Sequence, residues 1–171
     1  PAGVLLAPLF FKEGIAFIEK CEAHKIPVVN INTEIKSKGV LAYIGQDSFQ
    51  SGVLAARLIS FNLAEPAEIL VINLDNKLQD AKHLQEKEKG FRSYFSSKFK
   101  GKVNVNKLDV EDFNNPNHFG ERIRELSITP EKLSGIFVTN SRAYKLIEIA
   151  EGIFKPHSTI VGFDLIQPNI E

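Results

Sequence analysis

The stretch that decides the fold is Ile69-Leu70-Val71-Ile72, followed by Asp75-Asn76 and then by a segment carrying Leu84, Phe91 and Phe95 on one helical face. The first four residues form an apolar run without polar alternation. Such a run suits a strand whose two faces are both covered by helices, the condition of a parallel sheet. The switch from a short apolar run to 3.6-residue periodicity is the signature of a strand–helix unit. The same alternation recurs along the chain. Gly3-Val4-Leu5-Leu6-Ala7, Val28-Val29-Asn30-Ile31 and Leu41-Ala42-Tyr43-Ile44 are expected strands before it. Val103-Asn104-Val105, Gly135-Ile136-Phe137-Val138 and Thr159-Ile160-Val161-Gly162 are expected strands after it.

Helical stripes fill the intervals. Ile15, Ile18 and Ala23 mark the first, and Phe49, Val53, Ala56 and Ile59 the second, which starts after Asp47-Ser48, a pair able to cap free amide groups. Phe119, Ile123 and Leu126 mark the fourth, with Pro130 soon after its end, and Ala143, Leu146, Ile147 and Ala150 the fifth. Asn114-Asn115-Pro116-Asn117 is a turn cluster. The pattern predicts an α/β protein with parallel sheets flanked by helices.

Composition narrows the functional classes. The 171 residues are 43% hydrophobic and 25% charged, the balance of an ordinary globular protein. Twenty-one basic residues offset twenty-one acidic ones, so these residues carry no electrostatic footprint for nucleic acid. DNA would have to be bound through a segment absent from this chain. Cys21 is the one cysteine, which excludes an internal disulfide and fits a reducing, cytoplasmic compartment. Ile18 and Ala16 nearby predict a packed or half-exposed structural thiol. No apolar run approaches the roughly 20 residues of a membrane span, and no signal-peptide pattern is present. The histidines at 24, 83, 118 and 157 are too dispersed to converge as metal ligands. Phosphate-loop, dinucleotide-turn and nucleophile-elbow motifs are missing, so no catalytic residue, metal or cofactor is expected.

The polar residues after the strands are the remaining chemistry, because ligands of open α/β sheets bind outside the carboxyl ends of the strands. Asn32 follows the second strand, Asp47 the third, Asp75 and Asn76 the fourth, Asn140 the sixth and Asp164 the seventh. Short acids and amides suit a polyhydroxylated ligand: carboxylates accept from hydroxyls, and amides both donate and accept. The same residues could instead cap helices or close turns. Asp47 leans to capping. Asp164 leans to ligand, because Leu165-Ile166-Gln167-Pro168 opens no helix for it to cap.

Six motifs in order resemble the effector domain of LacI-type transcriptional regulators, which shares the type I fold of periplasmic binding proteins. Pro1-Ala2-Gly3-Val4-Leu5-Leu6 resembles their Asp-Gly strand, with Ala2 in the aspartate position. Ile26-Pro27-Val28-Val29-Asn30-Ile31-Asn32 is similar to their Ile-Pro-Val-Val strand, with Asn32 where aspartate is usual. Tyr43-Ile44-Gly45-Gln46-Asp47 with Ser51-Gly52 resembles the crossing between lobes, and Lys87-Glu88-Lys89-Gly90-Phe91 the Arg-x-x-Gly-Phe helix. Gly135 to Ala143 is similar to the strand ending in Asn-Asp, and Ile160-Val161-Gly162-Phe163-Asp164 to Val-Val-Gly-Phe-Asp. The resemblance implies a partial first lobe at residues 1–45 and a nearly complete second lobe at 46–171. It also implies a cleft between the lobes for a small molecule, usually a sugar.

The candidate ligand-binding residues are Asn32, Asp47, Lys87, Asn140 and Asp164. Two departures stand out. Lys87 replaces an arginine whose planar fork a lysine cannot copy, and Ser141 replaces an acid.

The resemblance points to the sugar-sensing domain of a homodimeric regulator that has its helix-turn-helix elsewhere. Its alternative is an exported sugar-binding protein serving a transporter or sensor. An α/β enzyme with a non-standard site is a third class. The opening at Pro1, without methionine and almost inside a strand, predicts a fragment. Such a piece is expected to bind ligand weakly or not at all. Micromolar sugar binding to these 171 residues in titration calorimetry would refute that expectation.

Overall fold

The computed structural model describes residues 1–74, 81–126, 128, 132–149, 158–164 and 166–170. Asp75, Asn76, Pro130, Ala150, His157 and Leu165, named above, lie outside the described residues. The chain divides into two units, Pro1–Asp47 with a short segment ending at His83, and the remainder from Ser48.

The first unit holds β1 (Val4–Leu6), α1 (Phe11–Ala23), β2 (Val28–Ile31) and β3 (Val40–Ile44), the strands forming a parallel sheet in the order β1-β2-β3. Val28 of the central strand and Ile18 and Cys21 of α1 close a small core with Ile35, and Val4, Leu6 and Val40 pack against it. Cys21 is buried there, a structural thiol as expected. Ala23, placed in the buried stripe by the sequence, is exposed instead. Five residues beyond Ile18, it lies well off the face that Gly14, Ile18 and Cys21 bury at four- and three-residue spacing.

The second unit holds α2 (Ser48–Ser60), β4 (Ala67–Leu74), α3 (Lys82–Lys98, from Leu84 onward), β5 (Val103–Val110), α4 (Pro116–Glu125), β6 (Leu133–Val138), α5 (Ala143–Ile149) and β7 (Thr159–Val161). Its four strands are parallel in the order β5-β4-β6-β7. Because strand side chains alternate, β4 feeds two cores at once. Ile69 and Val71 face Ala55, Ala56 and Ile59 of α2 and Phe91 and Phe95 of α3. Leu70, Ile72 and Leu74 face Phe119 and Ile123 of α4 and Leu146 of α5. Phe137 of β6 stacks on Phe91 with ring centroids 4.8 Å apart.

Three details differ from expectation. Ile147 is 60% exposed: it sits one residue, hence about 100° of helix rotation, from the buried Leu146. Strand β5 runs on through Val110, past the polar residues that hid its second half. The segment after Asp164 does hold one 3₁₀ turn, Gln167–Asn169, but its cap position is Ile166 and not Asp164.

Helices α2 and α3 touch backbone to backbone. A Cβ on Gly52 would lie 1.8 Å from the Lys87 carbonyl oxygen, and one on Gly90 would lie 2.0 Å from that of Phe49. Neither helix can keep its place if either glycine gains a side chain. Gly120 in α4 is different: an added Cβ would meet only the flexible end of Arg124, at 3.7 Å. Gly52→Ala is therefore expected to destabilise the protein by about 1–3 kcal/mol through overpacking. Gly120→Ala should stabilise it by about 0.5–1 kcal/mol through the lost backbone freedom of glycine. Urea unfolding of both variants checks the opposite signs.

Candidate functional site

Parallel pairing brings the carboxyl ends of the four strands of the second unit to one edge, the usual ligand side of such sheets. That edge is lined by Asn73 and Leu74 of β4, Asp109 of β5, Thr139 and Asn140 after β6, and Phe163 and Asp164 after β7. Helix α3 adds Lys87. The glycine contact with α2 sets the height of this helix, and Phe91, one turn further on, anchors it to Phe137.

Lys87 is buried, 7% exposed. Its ammonium donates to the Thr139 carbonyl at 3.1 Å and lies 3.5 Å from the centroid of the Phe163 ring, a cation–π distance. Burial pulls its pKa down from 10.5 to about 8, against the opposing pull of the Asp164 carboxylate. An ammonium prefers water, and a carbonyl with a ring face replaces that water only in part.

Asn140 is committed to its own turn. Its amide donates to the Leu74 carbonyl at 2.7 Å and its side-chain oxygen accepts from the Arg142 backbone N–H at 3.2 Å. One amide hydrogen remains for another partner. Arg142 also donates to the Leu74 carbonyl, and its guanidinium lies over the Phe113 ring, 4.7 Å from the centroid. Asp164 is exposed and adopts φ +65°, a left-handed conformation that acids and amides tolerate better than other side chains.

Asn32 has the same φ of +65° at the end of β2. Its backbone N–H donates to the Ile44 carbonyl at 3.0 Å, and its own carbonyl accepts from the Tyr43 hydroxyl at 3.2 Å. Asp47 is exposed at the last residue of the first unit before α2. With burial first and Glu34 second, its charge raises the Tyr43 pKa. The structure thus gathers Lys87, Asn140 and Asp164 at one sheet edge, while Asn32 and Asp47 belong to the first unit.

Several residues of this edge carry no motif in the sequence to mark them. Thr139 donates through its hydroxyl to the Asn73 side-chain oxygen at 2.5 Å, and the Asn73 amide donates to Asp109 at 2.6 Å. Asp109 pairs with Lys107 at 2.7 Å, and Lys107 with Glu88 at 3.5 Å. Asn169 is a hub: its amide reaches the carbonyls of Ser141, Phe163 and Asp164 at 3.0–3.1 Å, and its oxygen accepts from the Tyr144 N–H at 3.0 Å. The only sequence signal for Asn73 was a polar residue interrupting the end of an apolar run; Asn169 had none.

The periplasmic binding protein domain profile matches residues 1–171, the whole chain. The chain belongs to that family. Solved structures agree with it in fold. A candidate LacI transcriptional regulator from Bacteroides fragilis superimposes with a TM-score of 0.80 at 24% identity, over 99% of this chain and 58% of that one. A glucose–galactose binding protein from Geobacillus stearothermophilus gives 0.77 at 20%, over 99% and 59%. A transporter solute-binding protein from Agrobacterium vitis, bound to α-D-tagatopyranose, gives 0.78 at 19%, over 99% and 59%. The chain therefore spans under three fifths of the length of these three structures. No curated protein sequence matches it.

The depressed pKa of Lys87 has a thermodynamic consequence. The unfolded chain keeps the lysine protonated up to its ordinary value, so between about pH 8 and 10.5 it binds more protons than the folded chain. Stability from this group is lowest below pH 8 and rises with pH across that window, by on the order of 3 kcal/mol in full. Lys87→Met should abolish this component. Urea unfolding of both proteins at about pH 7.5 and 9.5 is the check, and identical changes with pH in the two would refute it.

Proposed function

We propose that this chain is a sugar-binding module and not an enzyme, and that Lys87, Asn140 and Asp164 contact the ligand. The observation that carries the reading is their convergence at the carboxyl edge of a parallel sheet, in a chain that belongs to the periplasmic binding protein domain family. The site offers what a polyhydroxylated molecule requires. Asp164 is a carboxylate acceptor, Asn140 a remaining amide donor, Lys87 a cationic donor and Phe163 a ring face. Hydrogen bonds to charged groups contribute about 1.5–3 kcal/mol each, so two would orient a sugar ring. Asn32 and Asp47 are proposed as further ligand residues supplied by the first unit.

The biological setting we favour is the effector-sensing part of a LacI-type transcriptional regulator, cytoplasmic and homodimeric, with DNA contacted by a segment outside these residues. Support comes from the candidate LacI regulator among the similar folds and from the unpaired Cys21. Leu54 and Leu58 of α2 and Phe61 just beyond it, 57%, 43% and 69% exposed at four- and three-residue spacing, would suit a symmetric interface. Sugar binding would act on DNA affinity by favouring one conformation of the dimer through differential contacts.

A second reading is an exported sugar receptor, supported by the sugar-binding proteins of similar fold. Sequencing the coding region upstream of Pro1 separates them. The regulator reading expects about 60 residues of basic helix-turn-helix pattern there, beyond further strand–helix units. An export signal in that place would overturn it in favour of the receptor.

A further inference from the structure

Two acids of this edge are already matched by other cations. Glu88, its neighbour on α3, accepts from Arg92 at 2.8 Å and faces Lys107 at 3.5 Å. Asp109 at the end of β5 holds Lys107 at 2.7 Å and the Asn73 amide at 2.6 Å. Asp164 acts on Lys87 only through its field, and is itself exposed. Among the described residues, the direct partners of the Lys87 ammonium are a carbonyl oxygen and a ring face, and no carboxylate touches it. Among the described residues, the sheet edge therefore holds a buried cation without a contacting counter-charge.

Burying an ammonium is costly, and a neutral hydroxyl could be recognised as well by an uncharged amide, which loses far less on leaving water. An anionic oxygen is the partner that offsets the desolvation of a cation, by a short charge-assisted hydrogen bond. A lysine, a compact point charge, suits a single such oxygen. This inference rests on the sugar-binding reading above and narrows it. We propose that the ligand is an anionic sugar, bearing a carboxylate or a phosphate, whose charged group docks on the Lys87 ammonium while its hydroxyls face Asp164 and Asn140.

Titration calorimetry of the protein expressed from its complete coding region, against matched pairs of sugars, tests this. The pairs are galactose with galacturonate, glucose with glucose 6-phosphate, and ribose with ribose 5-phosphate. At least one charged member should bind ten-fold or more tightly than its neutral partner, and the arm that responds distinguishes carboxylate from phosphate. Lys87→Gln should erase most of that preference and Lys87→Arg retain part of it. The wild-type comparison stands by itself where the glutamine variant fails to fold. Neutral sugars binding as tightly as charged ones would overturn the inference and leave the sugar-binding reading standing. A charge preference that survives intact in a folded Lys87→Gln protein would overturn the role of Lys87. No binding to any of the six would remove the sugar-binding reading and this inference together.

Discussion

The second unit is organised by the place where α2 and α3 meet without side chains between them. Two helices normally pack with axes 8–10 Å apart, held off by the residues at the crossing. Here Gly52 lies against the Lys87 carbonyl and Gly90 against the Phe49 carbonyl, a reciprocal contact of main chain on main chain. The close approach lets Ala55, Ala56 and Ile59 on one helix and Phe91 and Phe95 on the other cover the same face of β4 and β6. It also settles where Lys87 must be. The residue whose carbonyl touches Gly52 is the residue whose ammonium reaches Thr139. The packing contact and the candidate ligand group are the main chain and the side-chain tip of one residue.

From that end a continuous polar line runs across the sheet. Thr139 bonds Asn73, Asn73 bonds Asp109, Asp109 pairs with Lys107, and Lys107 pairs with Glu88, which returns to α3 beside Lys87. A buried polar group left unbonded costs more than a bonded one contributes, so such a line holds its members to one geometry. Asn73 and Thr139, both almost fully buried, therefore keep the ends of β4 and β6 level. Their level fixes the carbonyl that receives the Lys87 ammonium. The acids of this line are matched on the β5 side, and among the described residues no carboxylate contacts the Lys87 ammonium.

The fold was largely legible because its signal is hydrophobic and local. A strand covered on both faces is apolar along its centre, as Ile69–Ile72 of β4 and Ile136–Val138 of β6 are. Strand β5 was only half visible. It lies at one edge of the sheet, and Asn104 and Asn106 are used across the sheet, both donating to Glu68 at 3.0 and 2.7 Å. Lys107 and Asp109 continue it as an ion pair, which alone in a sequence looks like a loop. Helix stripes failed at Ala23, five residues beyond the buried Ile18, and at Ile147, one residue beyond the buried Leu146, where helix rotation turns the side chain off the core. At the site, residues directly after a strand could be chosen from order alone, as Asn140 and Asp164 were. The partners Asn73, Thr139 and Asn169 could not. Thr139 meets Asn73 because β6 aligns Val138 with Ile72, and no local pattern specifies that register.

The two ways of reading a strand-end acid or amide, as a turn former or as a ligand group, are not exclusive. Asn32 after β2 and Asp164 after β7 both take φ +65°, where most side chains other than glycine are strained. Backbone tolerance alone favours asparagine or aspartate at such positions. Yet glycine would tolerate them better still. Choosing a residue with a polar side chain over glycine retains an acceptor at the one place where the main chain turns away and leaves the strand end open. At Asp164 the surrounding bonds strengthen this argument. The two hydrogens of the Asn169 amide are shared among the carbonyls of Ser141, Phe163 and Asp164, so the turn is held without help from the Asp164 carboxylate. At Asn140 the side chain does close its own turn, with Leu74 and Arg142, and only one hydrogen is left over. Physical chemistry thus ranks the two as proposed ligand groups: Asp164 has its whole carboxylate to offer, whereas Asn140, which closes its own turn, has a single amide hydrogen left.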